Sequence, residues 1–493
     1  MSVMRIGGLA SGFDIDQMVK DLMKAERMPM NKLLQQKQIL AWKQDGYREL
    51  NKMLFSFRDK VFNLKLQSTF NAKTASSSNA SAVEVSANAN AVDGVYDFSV
   101  TQLAKAAYKT STEAIASFTQ GQSLQQQFGF EATDEDKTLS FSINGQVFTF
   151  DVTQDSIHTV LNAINNNKDA NVRASYDANL KRIFLMTRET GADQKIELAD
   201  LQGVGGKNLL EDAFKFDMSA ASGSNALFKL NGTDLQQSSN NFIINGITFN
   251  LKKEGEAATI TVRSDTEGLF NQIKGFVDTY NELIEKINGM LAEKRYRDYP
   301  PLTEEQKKDM SEKEIALWEE KARSGLFRSD NLLIGIASNM RRILSEVVSG
   351  TGSQYNSLAQ IGISTKSWYE GGKLHIDEDK LKKALTEDIE GVKSLFTNSG
   401  DAPSEKGLGH RLYDAVIAGS SQLTSTAGRD SGLNLVDNSY IGERLKAINT
   451  RVSAWEDKLA RIEQRYWRQF TLMEQAFNKM NSQSLWLAQQ FYS

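Results

Sequence analysis

The 493-residue sequence contains no cysteine, only four prolines and only three histidines. The absence of cysteine excludes disulfide bonds, zinc–thiolate centres and thiol nucleophiles. A low proline content is typical of long helices and regular strands, because proline interrupts both.

Long hydrophobic runs are also missing. The stretch 332–337 is about the longest, far below the roughly 18 residues of a membrane span, so we expect no membrane span. The first residues lack a basic segment followed by an apolar core, so we expect no cleaved secretory signal peptide. The formal net charge is −4, with mildly basic ends and an acidic middle, and this balance gives no overall basic field for nucleic acid.

A long apolar stripe lies near the end of the sequence. Between residues 441 and 480, apolar side chains recur at alternating steps of four and three, a repeat that keeps one stripe facing a partner helix. Successive steps of four at Ile462, Tyr466 and Phe470 form a stutter, which locally unwinds a supercoil. The predicted packing residues of this stripe are Leu445, Ile448, Val452, Trp455, Leu459, Ile462, Phe470, Met473 and Phe477.

The first seventy residues carry a similar stripe. Asp14 is suited to cap its first helix, and Pro29 is expected to end or kink that helix. Lys37 and Gln44 fall on the stripe and weaken it, so we expect this stretch to become ordered when a partner covers it. We interpret the two stripes as coiled-coil halves that pair with each other and with other subunits. The predicted packing residues here are Ile15, Met18, Leu22, Leu50, Leu54, Phe57 and Val61.

Strand signals fill the sequence from about Thr74 to Arg263. The Asn144-Gly145 loop predicts a hairpin that pairs Phe141 with Phe148 and Leu139 with Phe150. A second hairpin around 245–246 is expected to pair residue 242 with 249 and residue 244 with 247, and 231–232 marks a weaker third one. Between them the spacing predicts a helix over 157–164, followed by strands at 172–174 and 183–187.

Helical periodicity returns at Thr266. The pattern predicts a helix that the Pro300-Pro301 pair breaks, then helices over 302–324, 332–348 and 381–396. A small hairpin is expected between 361–367 and 373–376, and residues 397–435 are interpreted as a polar connector.

No catalytic or metal-binding constellation stands out. His158, His375 and His410 are far apart and match no metal-ligand spacing. The 203–206 stretch (GVGG) is an incomplete phosphate-loop fingerprint, and 377–379 (DED) lacks the glycine and glutamate of a calcium loop. We therefore expect no enzymatic activity, no cofactor and no metal.

Several motifs, in order along the chain, carry a resemblance to a known family. The start resembles that of bacterial flagellar filament cap proteins, the hook-associated protein 2 family, and residues 163–165 (AIN), 172–175 and 190–192 look like the "IN" motif shared by flagellins and hook-associated proteins. Residues 228–262, 276–281 and 361–381 are similar to later segments of the family. The motifs at the start are IGGLASGFD at 6–14, MV at 18–19, LM at 22–23 and AERMP at 25–29.

The resemblance implies an α+β multidomain fold: paired terminal coiled-coil helices forming a leg, a helical domain with a small sheet, and two β-rich head domains in the middle. The expected domains are 1–45 with 446–493 (coiled coil), 46–74 with 266–445 (helical leg), 75–120 with 222–265 (β-rich head) and 121–221 (β-rich head with the IN motif).

The resemblance also implies a function and partners. Such a protein caps the distal end of the flagellar filament as a self-assembled ring of a few subunits, commonly a pentamer. It promotes flagellin polymerisation and prevents flagellin leakage. Expected partners are further copies of the chain, flagellin, other hook-associated proteins and a dedicated export chaperone. The location would be extracellular, at the flagellum tip, reached through the flagellar secretion apparatus.

Two alternatives stay open from the residues alone. The β-rich domains could belong to a surface adhesin that binds host or mucin, or the chain could be an enzyme with an unrecognised site.

Overall fold

The computed structural model describes residues 14–115, 121–429 and 436–491. The opening motif at 6–13 and part of the expected connector at 397–435 lie outside these ranges. The chain divides into two compact units. The helical unit is formed by Met1–Phe70 together with Thr266–Ser493, and the β unit is Asn71–Asp265. Long helices in one unit and small sheets in the other confirm the α+β multidomain class.

The described helices, in chain order, are α1 (Ile15–Lys65), α2 (Gln67–Phe70), α3 (Leu124–Phe128), α4 (Ile157–Asn166), α5 (Thr266–Ala292), α6 (Glu304–Lys308), α7 (Glu312–Arg323), α8 (Asn331–Ser345), α9 (Glu378–Glu387), α10 (Ile389–Thr397), α11 (Leu408–Ala427) and α12 (Tyr440–Phe491). A π-helical turn spans Leu209–Ala213, and a 3₁₀ turn spans Trp368–Glu370.

The described strands are β1 (Lys73–Ser77), β2 (Val83–Ala87), β3 (Gly94–Gln102), β4 (Tyr108–Thr110), β5 (Thr138–Ile143), β6 (Gln146–Asp151), β7 (Val172–Asp177), β8 (Arg182–Thr187), β9 (Lys195–Ile196), β10 (Leu198–Gln202), β11 (Ala221–Ser222), β12 (Ala226–Leu230), β13 (Thr233–Gln237), β14 (Asn241–Ile244), β15 (Ile247–Leu251), β16 (Ala257–Ser264), β17 (Ile363–Ser364) and β18 (His375–Ile376).

Helix α1 begins at the predicted cap and runs without a break for 51 residues. The Asp14 carboxylate accepts a hydrogen bond from the backbone N–H of Gln17 (2.9 Å), which satisfies one free donor of the first turn. The expectation that Pro29 ends the helix is wrong. Pro29 and Ala25 are both exposed, so water can hydrate the Ala25 carbonyl that proline leaves without a helical donor.

The core of the helical unit lies where α1 packs against α5 and α11, and α8 packs against both α11 and α5. The Phe57 side chain is fully buried and stacks on Phe276, with ring centroids 5.4 Å apart. Buried apolar side chains at helical spacing on each of these elements form one continuous cluster. This packing gives the isolated stripes of the sequence their partners.

Three helical predictions need correction. The residues 408–427, interpreted as part of a polar connector, form helix α11, in which Gly409, Gly419 and Ser420 are buried. The 302–324 segment forms two helices because Ser311 caps a new one with its hydroxyl. The 381–396 segment is likewise divided at Asp388, whose carboxylate caps α10.

The β unit confirms the predicted hairpins residue by residue. Phe141 pairs with Phe148 and Leu139 with Phe150 across the 144–145 loop. The second hairpin pairs residues 242 with 249 and 244 with 247, and the third joins β12 to β13. An Asn-Gly loop matches the twist of the flanking strands, so the alternation of apolar residues fixes which face is buried.

The described residues of the β unit form two hydrophobic cores. The first contains stacked rings of Phe98, Phe228, Phe242 and Phe249 under a five-stranded sheet of order β1-β16-β3-β12-β13 and a three-stranded sheet β14-β15-β2. The second is formed by α4 with the sheets β10-β5-β6 and β4-β8-β7. Strand β4 pairs with β8, so it belongs with the second core, although the expected boundary at residue 120 placed it with the first.

The segment with the IN motif ties α4 to its sheet. The Asn165 side-chain amide donates to the Ala174 carbonyl (2.8 Å), and its oxygen accepts from the Ala174 N–H (2.9 Å). The pair acts as a local extension of the backbone ladder. It holds the end of the helix against β7.

The first and last strands of the β unit are neighbours. Lys73 of β1 lies opposite Ser264 of β16 in an antiparallel pair. The Asp265 N–H donates to the Ala72 carbonyl (2.9 Å). The chain therefore enters and leaves this unit side by side.

Candidate assembly interface

The beginning of α1 pairs with the middle of α12. Ile15, Val19 and Met23 form a buried cluster with Leu459 and Ile462. Trp455, Tyr466 and Phe470 pack against the same cluster and stay partly exposed. These contacts form a two-helix seam of alternating apolar residues.

A hydrogen bond fixes the register of this seam. The Tyr466 hydroxyl donates to the Glu26 carboxylate (2.9 Å) at the stutter predicted for the terminal helix. Both groups are partly buried, so the bond is shielded from competing water.

Two residues of the predicted N-terminal stripe lie one position away from the buried face of α1. Met18 and Leu22 are each 39% exposed, whereas Val19 and Met23, which were not predicted, are buried against α12. The signal was present, since Val19 and Met23 connect to Met30 at heptad-like steps. Met18 and Leu22 lie on the free side of the seam and stay predicted contacts for another chain.

A second group of predicted residues lies in the main core. Leu50, Leu54, Phe57 and Val61 face α5 and the helices around it, and Leu445 of α12 packs on the edge of that core. Ile448 is buried, and Val452 is half-buried between the two regions. The structure thus divides the predicted residues between a core and a terminal seam.

Past the seam, α12 presents apolar side chains without cover. From Thr471 to Leu487 no residue is buried. Met473 and Phe477 are partly exposed, while Leu472, Met480 and Trp486 are 57–58% exposed. Isolated exposed apolar side chains are common, but a row of them along several helical turns marks an interaction surface.

A polar latch joins α1 to the junction between α11 and α12. We define the latch as Gln44, Arg48, Ala427 and Asp437. Gln44 donates to the Ala427 carbonyl (3.0 Å) and to the Asp437 carboxylate (2.7 Å), and Arg48 donates to both as well (2.9 and 3.0 Å). Burial alone would raise the pKa of Asp437, but hydrogen bonds from Ser439 and Gln44 and the Arg48 charge lower it below its ordinary value.

Three titratable groups elsewhere in the described part of the chain are paired or at least partly buried. The His375 ring lies 2.6 Å from Glu370, and burial next to Lys65 lowers the pKa of His410. Burial raises the pKa of Tyr280 to about 12, against an opposing effect of Arg341, so this phenol stays protonated at neutral pH. Within the described ranges no cluster of three metal-ligating side chains occurs, and no described helix is long and apolar enough to cross a bilayer.

The chain matches two family models. The first, described as flagellar hook-associated protein 2 C-terminus, matches residues 223–482, and the second, flagellar hook-associated protein 2 N-terminus, matches residues 11–107. Flagellar hook-associated protein 2 of Halalkalibacterium halodurans is 33% identical over 99% of this chain and 100% of its own length.

A second relative and a solved structure also match this chain. The Escherichia coli K12 protein of the same name is 26% identical over 98% of this chain and 97% of its own length. The solved structure of the E. coli flagellar cap protein FliD, domains D1-D2-D3, has a similar fold, with a TM-score of 0.53, 24% identity and coverage of 82% of this chain and 99% of that one. The chain therefore belongs to the flagellar hook-associated protein 2 family.

Proposed function

We propose that this chain is a structural cap at the distal end of the bacterial flagellar filament, where it self-assembles into a ring. The ring promotes flagellin polymerisation and keeps flagellin from leaking away. The observation that carries the proposal is the uncovered apolar stretch of α12 in a chain of this family, because such a helix needs partners beyond its own fold.

The proposed partners follow from this role. They are further copies of the chain in a ring of a few subunits, commonly a pentamer, together with flagellin, other hook-associated proteins and a dedicated export chaperone. We place the protein outside the cell at the flagellum tip, exported by the flagellar secretion apparatus without a cleaved signal peptide. A chain without disulfides suits passage through a narrow channel in an unfolded state.

We assign the parts of the chain to separate tasks. Residues 1–45 with 446–493 form the coiled coil that contacts axial subunits, and 46–74 with 266–445 form the helical leg. Residues 75–120 with 222–265 and residues 121–221 form the two head domains, with β4 of the first range paired to a strand of the second. Met18, Leu22, Met473 and Phe477 are the predicted axial contacts that the chain's own fold leaves uncovered.

A truncation tests this assignment. We expect removal of residues 471–493 to leave the α1–α12 seam intact, because its buried residues end before this segment. The truncated protein should fold with unchanged helical stability and fail to support filament growth, with flagellin appearing in the medium. Electron microscopy of the purified full chain should show rings.

Two substitutions on α12 test the same role, and one serves as the control for the other. Met480→Asp, on the exposed apolar row, should reduce filament growth, whereas Asn478→Asp adds the same charge two residues away without removing an apolar side chain. Normal filaments from the truncated chain would contradict the cap function. No described feature favours the adhesin alternative, and family membership favours a structural role over catalysis.

A further inference from the structure

A groove outside the α1–α12 seam has the composition of a protein-docking site. It lies beside α8 and the β17–β18 hairpin and encloses about 850 Å³. We call it the α8 groove and define it by Arg341, Arg342, Val347, Lys366 and Trp368, with buried apolar side chains as its floor. The floor residues are Leu344, Leu358, Ile363 and Leu374.

The rim of the groove exposes large apolar side chains. Trp368 is 93% exposed and forms an edge-to-face pair with Tyr369, which is 74% exposed. Val347, another lining residue, is 53% exposed. An indole left almost wholly in water gains no burial energy in the isolated chain, and Trp is enriched where partner chains dock.

The groove carries positive charge that its own walls do not neutralise. None of its described lining residues is Asp or Glu. Arg341 donates to the neutral Asn288 amide oxygen (2.6 Å), and its Nε is buried without an acceptor among the described residues. Lys366 is exposed. Arg342 pairs with Glu346, but that carboxylate also accepts from Arg411 (3.1 Å).

The apolar floor, the exposed indole at the rim and the positive charge together indicate which kind of ligand fits the α8 groove. A small anion would leave the indole and the apolar floor uncovered, and a purely apolar segment would leave the cations without counter-charge. We propose that the α8 groove docks an acidic segment of a separate protein chain, one that inserts a bulky apolar side chain between Trp368 and the floor while its carboxylates meet Arg341 and Lys366.

Fluorescence anisotropy with the full-length protein tests this proposal. The probe is a labelled synthetic peptide of glutamate and leucine, compared with one peptide in which each glutamate is glutamine and another in which each leucine is serine. The first peptide should bind saturably and more weakly as salt rises, and both altered peptides should bind at least about tenfold more weakly.

Variants locate the binding. Lys366→Glu and Trp368→Ser should each weaken binding of the glutamate–leucine peptide about tenfold. Lys60→Glu, a charge reversal at an exposed lysine outside the groove lining, should leave it unchanged. Circular dichroism melts should be the same for all three variants, since each altered side chain is exposed.

Two results would overturn the proposal: equal binding of the glutamine peptide, and unchanged peptide binding by Lys366→Glu and Trp368→Ser. If in the second case sedimentation velocity also shows that these variants lower self-association of the chain, the groove is an interface between copies of this protein.

Discussion

Asp437 connects two segments of the helical unit through both of its carboxylate oxygens. One oxygen accepts from Gln44 and Arg48 of α1, and the other accepts from the Ser439 N–H (2.9 Å) just before α12. The sequence placed Gln44 on the apolar seam as a weak point. In the structure it is buried and hydrogen-bonded to groups nearly 400 residues away, which no local pattern could reveal.

The latch makes the α11–α12 junction sensitive to acid. The pKa of folded Asp437 is lowered, so its contribution to stability is present above the ordinary aspartate pKa of about 3.9 and is lost as pH falls through the folded value. The protection factors of the amides at the start of α12, which are corrected for the intrinsic exchange rate at each pH, should fall on acidification in the wild type. The Asp437→Asn variant should show lower protection at neutral pH and a smaller loss of protection on acidification, and an equal acid response in both proteins would contradict the latch.

Two turn glycines with the same backbone conformation offer a second residue-scale prediction. Gly145 and Gly246 have φ of +78° and +79°, so an alanine at either one is strained by about 1–3 kcal/mol. A Cβ at Gly145 meets nothing within 4 Å, whereas one at Gly246 would lie 2.6 Å from the Ala91 nitrogen. We expect Gly246→Ala to destabilise its hairpin by about 1–2 kcal/mol more than Gly145→Ala destabilises its own.

Hydrogen exchange of the strand amides in each hairpin measures this difference. Gly145→Ala serves as the control because it carries the backbone strain without the clash. Equal losses of stability in the two hairpins would mean that the segment around Ala91 moves to make room for the added Cβ. The sequence identifies both turns from Asn-Gly, but the close approach of Ala91 is a tertiary fact that it does not show.

At the scale of elements, a single substitution can test the packing of α1 against α12 in the seam. Leu459 is buried against Ile15 and Val19, so Leu459→Asp places a charge among apolar side chains. We expect loss of about 3 kcal/mol or more of local stability, seen as faster hydrogen exchange in the first turns of α1 and around residue 459. Exchange in the β unit should not change.

Leu472→Asp is the matched control for this prediction. It makes the same change on the same helix at a side chain that is 58% exposed. Exchange across the seam should stay as in the wild type. If both variants loosened the seam equally, Leu459 would not be a specific packing residue.

Whether the sequence predicted a helix or strand correctly depended on which residues form its buried face. Strong alternation of phenylalanine with polar residues defined the hairpins, and long apolar stripes defined α5 and α12. Helix α11 was missed although its buried residues Leu408, Leu412, Val416 and Leu423 recur at helical spacing. Small residues of the same buried face, among them Gly409 and Gly419, made the segment resemble a connector. Such residues let helices approach closely but give no hydrophobic period.

At the scale of the whole molecule, the β unit is an insertion into the helical unit. Its first and last residues flank the paired strands β1 and β16, and its described residues form two cores of their own. We therefore expect residues 71–265, expressed alone, to fold with a cooperative thermal transition and a dispersed amide spectrum.

The control for this experiment is the full chain from which residues 71–265 have been deleted. Joining Phe70 to Thr266 with a short glycine–serine linker should preserve the helical unit, because its core draws no residue from the insertion. A molten or aggregated product from either piece would show that the two units fold only together. The order of helical and strand-rich segments predicted these two regions, whereas the adjacency of their junctions required the structure.

The side-by-side strands at the junction also set how the β unit responds to tension. Force applied through Asn71 and Asp265 acts across the β1–β16 pair at its open end, so the backbone bonds are loaded one after another, beginning near Lys73 and Ser264. Strands pulled apart in this way lose their hydrogen bonds one at a time. This separation requires less force than sliding the two strands past each other along their length. The β unit is therefore mechanically weakest at its own attachment point, and pulling on the chain would unravel its five-stranded sheet from that edge inward.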